Sequence, residues 1–158
     1  LGVDPAEDDI MDRQPRNASE PILTGKRWFQ IGWQGFILSI FPILLGYWIS
    51  PMLGVSGATS RTMLFTTLVL SQLLHSLSFR SEAHSVFSLR SLKNKWLLAS
   101  IAGSMLLQVI LIYTPGAERL FRVTPLNFAD WVAVIGVSVC SIAVIDISNL
   151  ILNRRKKN

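Results

Sequence analysis

Uncharged stretches run through this chain from Trp28 to Pro51, Thr62 to Phe79, Trp96 to Pro115 and Trp131 to Ile145, the last continuing past Asp146 to Leu152. A hydrocarbon layer about 30 Å thick is crossed by roughly 20 helical residues at about 1.5 Å rise each, and all four stretches meet or approach that length. Half of the 158 residues are hydrophobic and only 16% are charged. Four such runs in so short a chain leave too little polar surface to keep it in water. No alternating strand pattern competes with them. The fold class expected is an all-α membrane protein, a bundle of four transmembrane helices at about 28–50, 62–79, 96–114 and 131–152. A polar segment, 1–27, precedes the bundle and a basic tail, 153–158, follows it.

Charge placement sets the expected orientation. With the N-terminus in the cytosol, the cytosolic segments hold Arg13, Arg16, Lys26 and Arg27, then Arg80, Arg90, Lys93 and Lys95, then Arg154, Arg155, Lys156 and Lys157; the other side keeps Arg61, Arg119 and Arg122. Lys and Arg concentrate on the cytosolic side of membrane proteins, so both termini are expected there. The net charge of +5 is thereby topological, and it gives no reason to expect a nucleic-acid partner. The plainer use of the Arg154–Lys157 tail is attraction to anionic lipid. Trp28, Trp33, Tyr47, Trp48, Trp96, Tyr113 and Trp131 bracket the spans, as interfacial aromatics do.

Pro42 lies inside the first span, where it removes a backbone donor and is expected to kink the helix near Leu38 to Pro42. Ser100 with Ser104, Ala99 with Gly103, and Gly32 with Gly35 are small residues at spacings that let helices approach closely. Cys140 is the only cysteine, which excludes an intrachain disulfide or a cysteine metal cluster.

Few residues carry chemistry. Ser71, Gln72 and His75 fall on or near one face of the second span, either as interhelical hydrogen-bonding groups or, for Gln72, facing an ion path. Asp146, an ionisable residue deep in a predicted span, is a functional suspect by default, whereas a basic partner such as Arg80, Lys93, Lys95 or Arg154 would make it a structural anchor. Asp4, Glu7, Asp8, Asp9 and Asp12 followed by Arg13 and Arg16 form a solvated acidic-to-basic segment without the glycine of a calcium-binding loop. There is no phosphate loop and no nucleophile–base set outside the lipid, so no catalytic or cofactor-binding residue is assigned.

The run from Leu1-Gly2-Val3-Asp4-Pro5 through Asp9-Ile10-Met11-Asp12-Arg13-Gln14-Pro15-Arg16, with Glu20-Pro21 and Gly25 after it, resembles the cytosolic loop after the sixth membrane helix of P-type cation ATPases. Thr62-Met63 through Ser71-Gln72 to Arg80-Ser81-Glu82 and Ser85-Val86-Phe87 looks like their eighth helix and following loop. Asn94-Lys95-Trp96-Leu97 resembles the start of the ninth. Pro125-Leu126, Asp130-Trp131 and Asp146 ahead of the basic tail look like the last external loop and the tenth helix.

This resemblance, nearest the calcium pumps of bacteria with a sodium- or manganese-transporting relative as the alternative, implies a set of expectations. The chain is the C-terminal support domain of a pump in a bacterial cell membrane, bracing mobile helices that precede it. The loop with Asp4, Asp8, Asp9, Asp12, Arg13 and Arg16 meets the phosphorylation domain. ATP, magnesium and the transported cation belong to the full-length parent, and its phosphorylation and nucleotide-binding parts lie outside this chain. Gln72 takes the place where two-site calcium pumps use a Glu ligand, which favours one calcium ion per cycle because a neutral amide holds a divalent cation more weakly. The opening on Leu1 rather than Met points to a fragment or a processed chain, and an isolated fragment would be prone to self-association. The competing readings are a free-standing four-helix accessory protein and a small cation- or proton-coupled carrier using Asp146 and His75.

Overall fold

The computed structural model describes residues 24–78 and 95–154, and every element among them is helical. The acidic-to-basic segment with Asp4, Asp8, Asp9, Asp12, Arg13 and Arg16 lies outside the described residues, as does the loop between the second and third apolar stretches. The elements are α1 (Gly25–Leu44), a π-helical turn (Leu45–Ile49), α2 (Ser50–Met52), α3 (Gly57–Ser78), α4 (Lys95–Tyr113), α5 (Ala117–Phe121) and α6 (Phe128–Arg154).

Three of the four expected spans are long and apolar enough to cross a membrane: Arg27–Met52, Lys95–Tyr113 and Phe128–Ile151. The helix α3 has the length, with 22 residues, but falls short in apolar character. Thr59, Ser60, Arg61, Thr62, Thr66, Thr67, Ser71, Gln72, His75 and Ser76 all lie on it. Its position accounts for that composition. It is the central helix, packed most extensively on α6 and also on α1 and the π turn, while α4 sits at the edge against α3 and α5. Polar side chains are tolerated in a helix whose neighbours satisfy them.

The irregularity in the first span lies after Pro42 rather than before it. The helix α1 is continuous through the buried proline, and the backbone then widens into the π turn, where the amide of Leu45 points to the carbonyls of both Phe41 and Pro42. Where π-helix occurs, it is mostly as a single turn inserted in an α-helix, as here. This one sets Gly46 against α3, so closely that a Cβ there would stand 2.6 Å from Leu64 Cβ. The tight approach of the chain is therefore at Gly46. At Gly32, Gly35 and Gly103 an added Cβ would meet nothing within 4 Å, so these small residues face away from the rest of the described structure.

Local chemistry sets the helix ends. Gly54, at φ +72°, closes α2 as the left-handed residue of a Schellman motif, with Val55 N donating to Ser50 O and Gly54 N to Pro51 O, both at 3.0 Å. Ser56 then caps α3, its Oγ accepting from Thr59 N at 3.2 Å, so the helix starts at Gly57, ahead of the uncharged stretch that begins at Thr62. Before α6, Asn127 and Asp130 form a reciprocal capping box: Asp130 N donates to Asn127 Oδ1 at 2.9 Å and Asn127 N to Asp130 Oδ2 at 3.0 Å.

Two apolar clusters fill the bundle. Toward the Gly54 turn, Leu45, Met63, Leu70, Ile112, Leu126 and Val134 pack together; toward the other end, Ile37, Leu77, Ile142 and Ile145 do. Hydrophobic burial alone does not drive helices together in lipid, so packing and hydrogen bonds between them decide the arrangement.

Candidate functional site

The most concentrated polar feature is a seam along the contact of α3 with α6. Ser138 Oγ donates to Thr67 O at 3.4 Å as well as to Val134 O at 2.8 Å, and Ser141 Oγ donates to Ser71 Oγ at 3.3 Å and to Ser138 O at 2.7 Å. These residues have no measurable exposure. From Thr67 to Ser71 is one turn of α3, and from Ser138 to Ser141 about one turn of α6, so the two helices run parallel in a fixed register. One further turn along both helices brings His75 level with Ile145 and Asp146. His75 is buried, and the Asp146 carboxylate is the charge that acts on it.

Other polar bonds tie the remaining helices to this seam. Gln108 of α4 donates from Nε2 to Thr66 Oγ1 at 3.3 Å, with both residues buried. Further along α6, Asn149 Oδ1 accepts from Gln30 Nε2 at 3.0 Å and from Gln34 Nε2 at 3.2 Å, which joins α1 to α6 one turn beyond Asp146. At the opposite end the connection between α4 and α6 is pinned. Thr124 N donates to Thr62 Oγ1 at 2.9 Å, Tyr113 Oη donates to Leu126 O at 2.7 Å, and Trp131 Nε1 donates to Tyr113 Oη at 2.9 Å.

The structure separates the residues that the sequence grouped. Ser71 and His75 are buried in the seam and Asp146 is half-buried beside it, whereas Gln72 is exposed on another face of α3, in line with Arg61 and Phe65. Gln72 therefore lies off the face that forms the hydrogen-bonded seam. No cluster of three His, Cys, Asp or Glu side chains suited to a metal ion occurs among the described residues. Sequence reasoning missed Gln30, Gln34, Thr66, Thr67, Gln108, Ser138, Ser141 and Asn149. The available signal was a polar residue recurring every third or fourth position inside apolar runs, the pattern of a helix face that meets another helix.

With this arrangement in view, similarity to known proteins is decisive. A profile described as "Cation transporting ATPase, C-terminus" matches residues 1–151. The chain belongs to that family. Along 99% of its length this ATPase C-terminal region is 33% identical to a calcium-transporting ATPase of Bacillus subtilis, of which it covers 17%. A calcium-transporting ATPase 1 of Bacillus cereus is 31% identical along the whole chain, with 19% of that protein covered. The human calcium-transporting ATPase type 2C member 1 is 30% identical over 92% of the chain, with 16% covered. The chain thus spans about a sixth to a fifth of the length of these relatives. Together with the three apolar helices, this makes it a multi-pass integral membrane region of a P-type cation ATPase.

Proposed function

We propose that this region is the membrane support domain of an ATP-driven calcium pump. In this reading α1 with α2, α3, α4 and α6 all cross the bilayer, both ends lie in the cytosol, and the bundle braces the ion-moving helices that precede it in the full protein. ATP, magnesium and calcium are used by the parent, which resides in a bacterial cell membrane. The segment with Asp4, Asp8, Asp9, Asp12, Arg13 and Arg16 meets the cytosolic phosphorylation domain.

The observation that carries this reading is the two-faced character of α3. One face is bonded into α6 and α4 through Thr66, Thr67 and Ser71, which suits a brace; the other leaves the Gln72 amide exposed, six residues before the described end of α3. An uncharged hydrogen-bonding group exposed to lipid is unfavourable, so a partner outside the described helices fits that face better. The preceding helices of the parent, and the ion they carry, are that partner. The Gln72 carbonyl would then offer one neutral oxygen, consistent with one calcium ion per ATP.

The test is ATP-dependent calcium uptake by the full-length protein in sealed vesicles. Losing one neutral oxygen contact worth about 1 kcal/mol, Gln72→Ala should raise the calcium concentration for half-maximal uptake roughly fivefold, with thermal stability unchanged. Calcium uptake identical to wild type, or two calcium ions moved per ATP hydrolysed, would contradict this role for Gln72.

A further inference from the structure

The third rung of the α3–α6 seam differs from the others because both partners can ionise. Rungs at Thr67–Ser138 and Ser71–Ser141 are made of hydroxyl and carbonyl groups, and the same parallel register places His75 beside Asp146. The walls there are apolar: Leu74 and Leu77 from α3, and Ile142 and Ile145 from α6. A hydroxyl pair would have continued the seam at less cost, since ionisable groups within a membrane bundle are expensive.

We infer that His75 and Asp146 together form a proton-binding site inside the bundle. A proton from water adds to an imidazole nitrogen, no bond to carbon or oxygen is broken, and the pair passes from a neutral ring beside a carboxylate to a cation beside an anion. The exchange tightens α3 against α6, because the protonated pair attracts more strongly than the neutral one in a low-dielectric interior. Of the other described charges, Arg61 near the start of α3 and Asp130 in the α6 cap lie at the opposite end of the bundle. Arg27 in the first turn of α1, Lys95 in the first turn of α4 and Arg154 at the end of α6 lie at the same end as the pair, and Leu97 and Leu98, just after Lys95, pack against the Leu77 and Ile145 cluster. The shared Asn149 contact with Gln30 and Gln34 stands between the pair and the end of α6, so amide side chains flank it on that side. The site binds a proton without carrying it across the bilayer, and it is independent of the ion the parent moves.

Hydrogen–deuterium exchange at the imidazole C2 position, read by mass spectrometry on the His75 peptide of the full-length protein, measures protonation at this one ring. In wild type the exchange rate follows a single titration. Asp146→Asn removes the facing charge and should displace the midpoint by about one pH unit or more. Ser141→Ala, which deletes the neighbouring rung without changing charge, should leave it within about 0.3 unit. Asp146→Glu keeps the charge and should hold the midpoint within about 0.5 unit, a comparison that stands even where Asp146→Asn does not accumulate. A His75 that shows no titration, a midpoint unmoved by Asp146→Asn, or a midpoint moved by Asp146→Glu by more than about one unit overturns the assignment.

Discussion

The helices α3 and α4 lie side by side and invert what hydropathy suggests about burial. Apolar over most of its length, α4 keeps only Gln108 and Ile112 buried, so most of its surface faces outward. The more polar α3, which falls short of the apolar character of a membrane span, is the helix the others surround. The contrast teaches that in such a bundle apolar character marks the lipid-facing periphery, while polarity marks the centre, where neighbouring helices supply hydrogen-bond partners that lipid cannot.

Substitutions can break this contrast, and the largest effect is expected at the closest approach to α3. With Leu64 Cβ 2.6 Å from where a Cβ would stand, Gly46→Leu forces the π turn away from α3. Overpacking of a close-fitted contact typically costs about 1–3 kcal/mol, so thermal unfolding of the full-length protein in detergent should show a marked loss of stability; a wild-type melting profile would refute the close contact.

A smaller effect sharpens how α4 is attached. The buried pair Gln108 and Thr66 is the polar bond between α4 and α3, and a double-mutant cycle with Gln108→Leu and Thr66→Val should give a coupling of roughly 0.6 to 1.7 kcal/mol, the range for interhelical hydrogen bonds in membranes. Additive single effects would mean the bond contributes nothing. Least of all should follow from Leu107→Ala on the exposed face of α4, where a change within about 0.5 kcal/mol is expected. A large loss there would show α4 buried against something else.

Much of the helical architecture was readable because long uncharged runs have few solutions other than helices in lipid. The residues joining those helices were harder to read. Ser71 and His75 were recognisable as polar groups inside a span, but nothing in their spacing says which face of α3 meets α6, and Gln72, one residue from Ser71, points elsewhere. The partners Ser138, Ser141 and Asn149 look like ordinary small or polar residues in an apolar run, since their meaning comes from a helix about 70 to 120 residues away in sequence. Gly32 and Gly35 showed the reverse error. Their spacing suggested close packing, yet the tight contact is made by Gly46, whose position depends on the π turn that follows Pro42.

The central claim is that α3 crosses the membrane in spite of its polarity. Single cysteines placed at Ser56, in the turn before α3, and at Thr114, after α4, can be tested with a membrane-impermeant thiol reagent in sealed vesicles, using full-length protein without its other cysteines, Cys140 included. Two crossings separate these positions if α3 spans, so both should be labelled from the same side. Labelling from opposite sides would mean that α4 crosses and α3 does not.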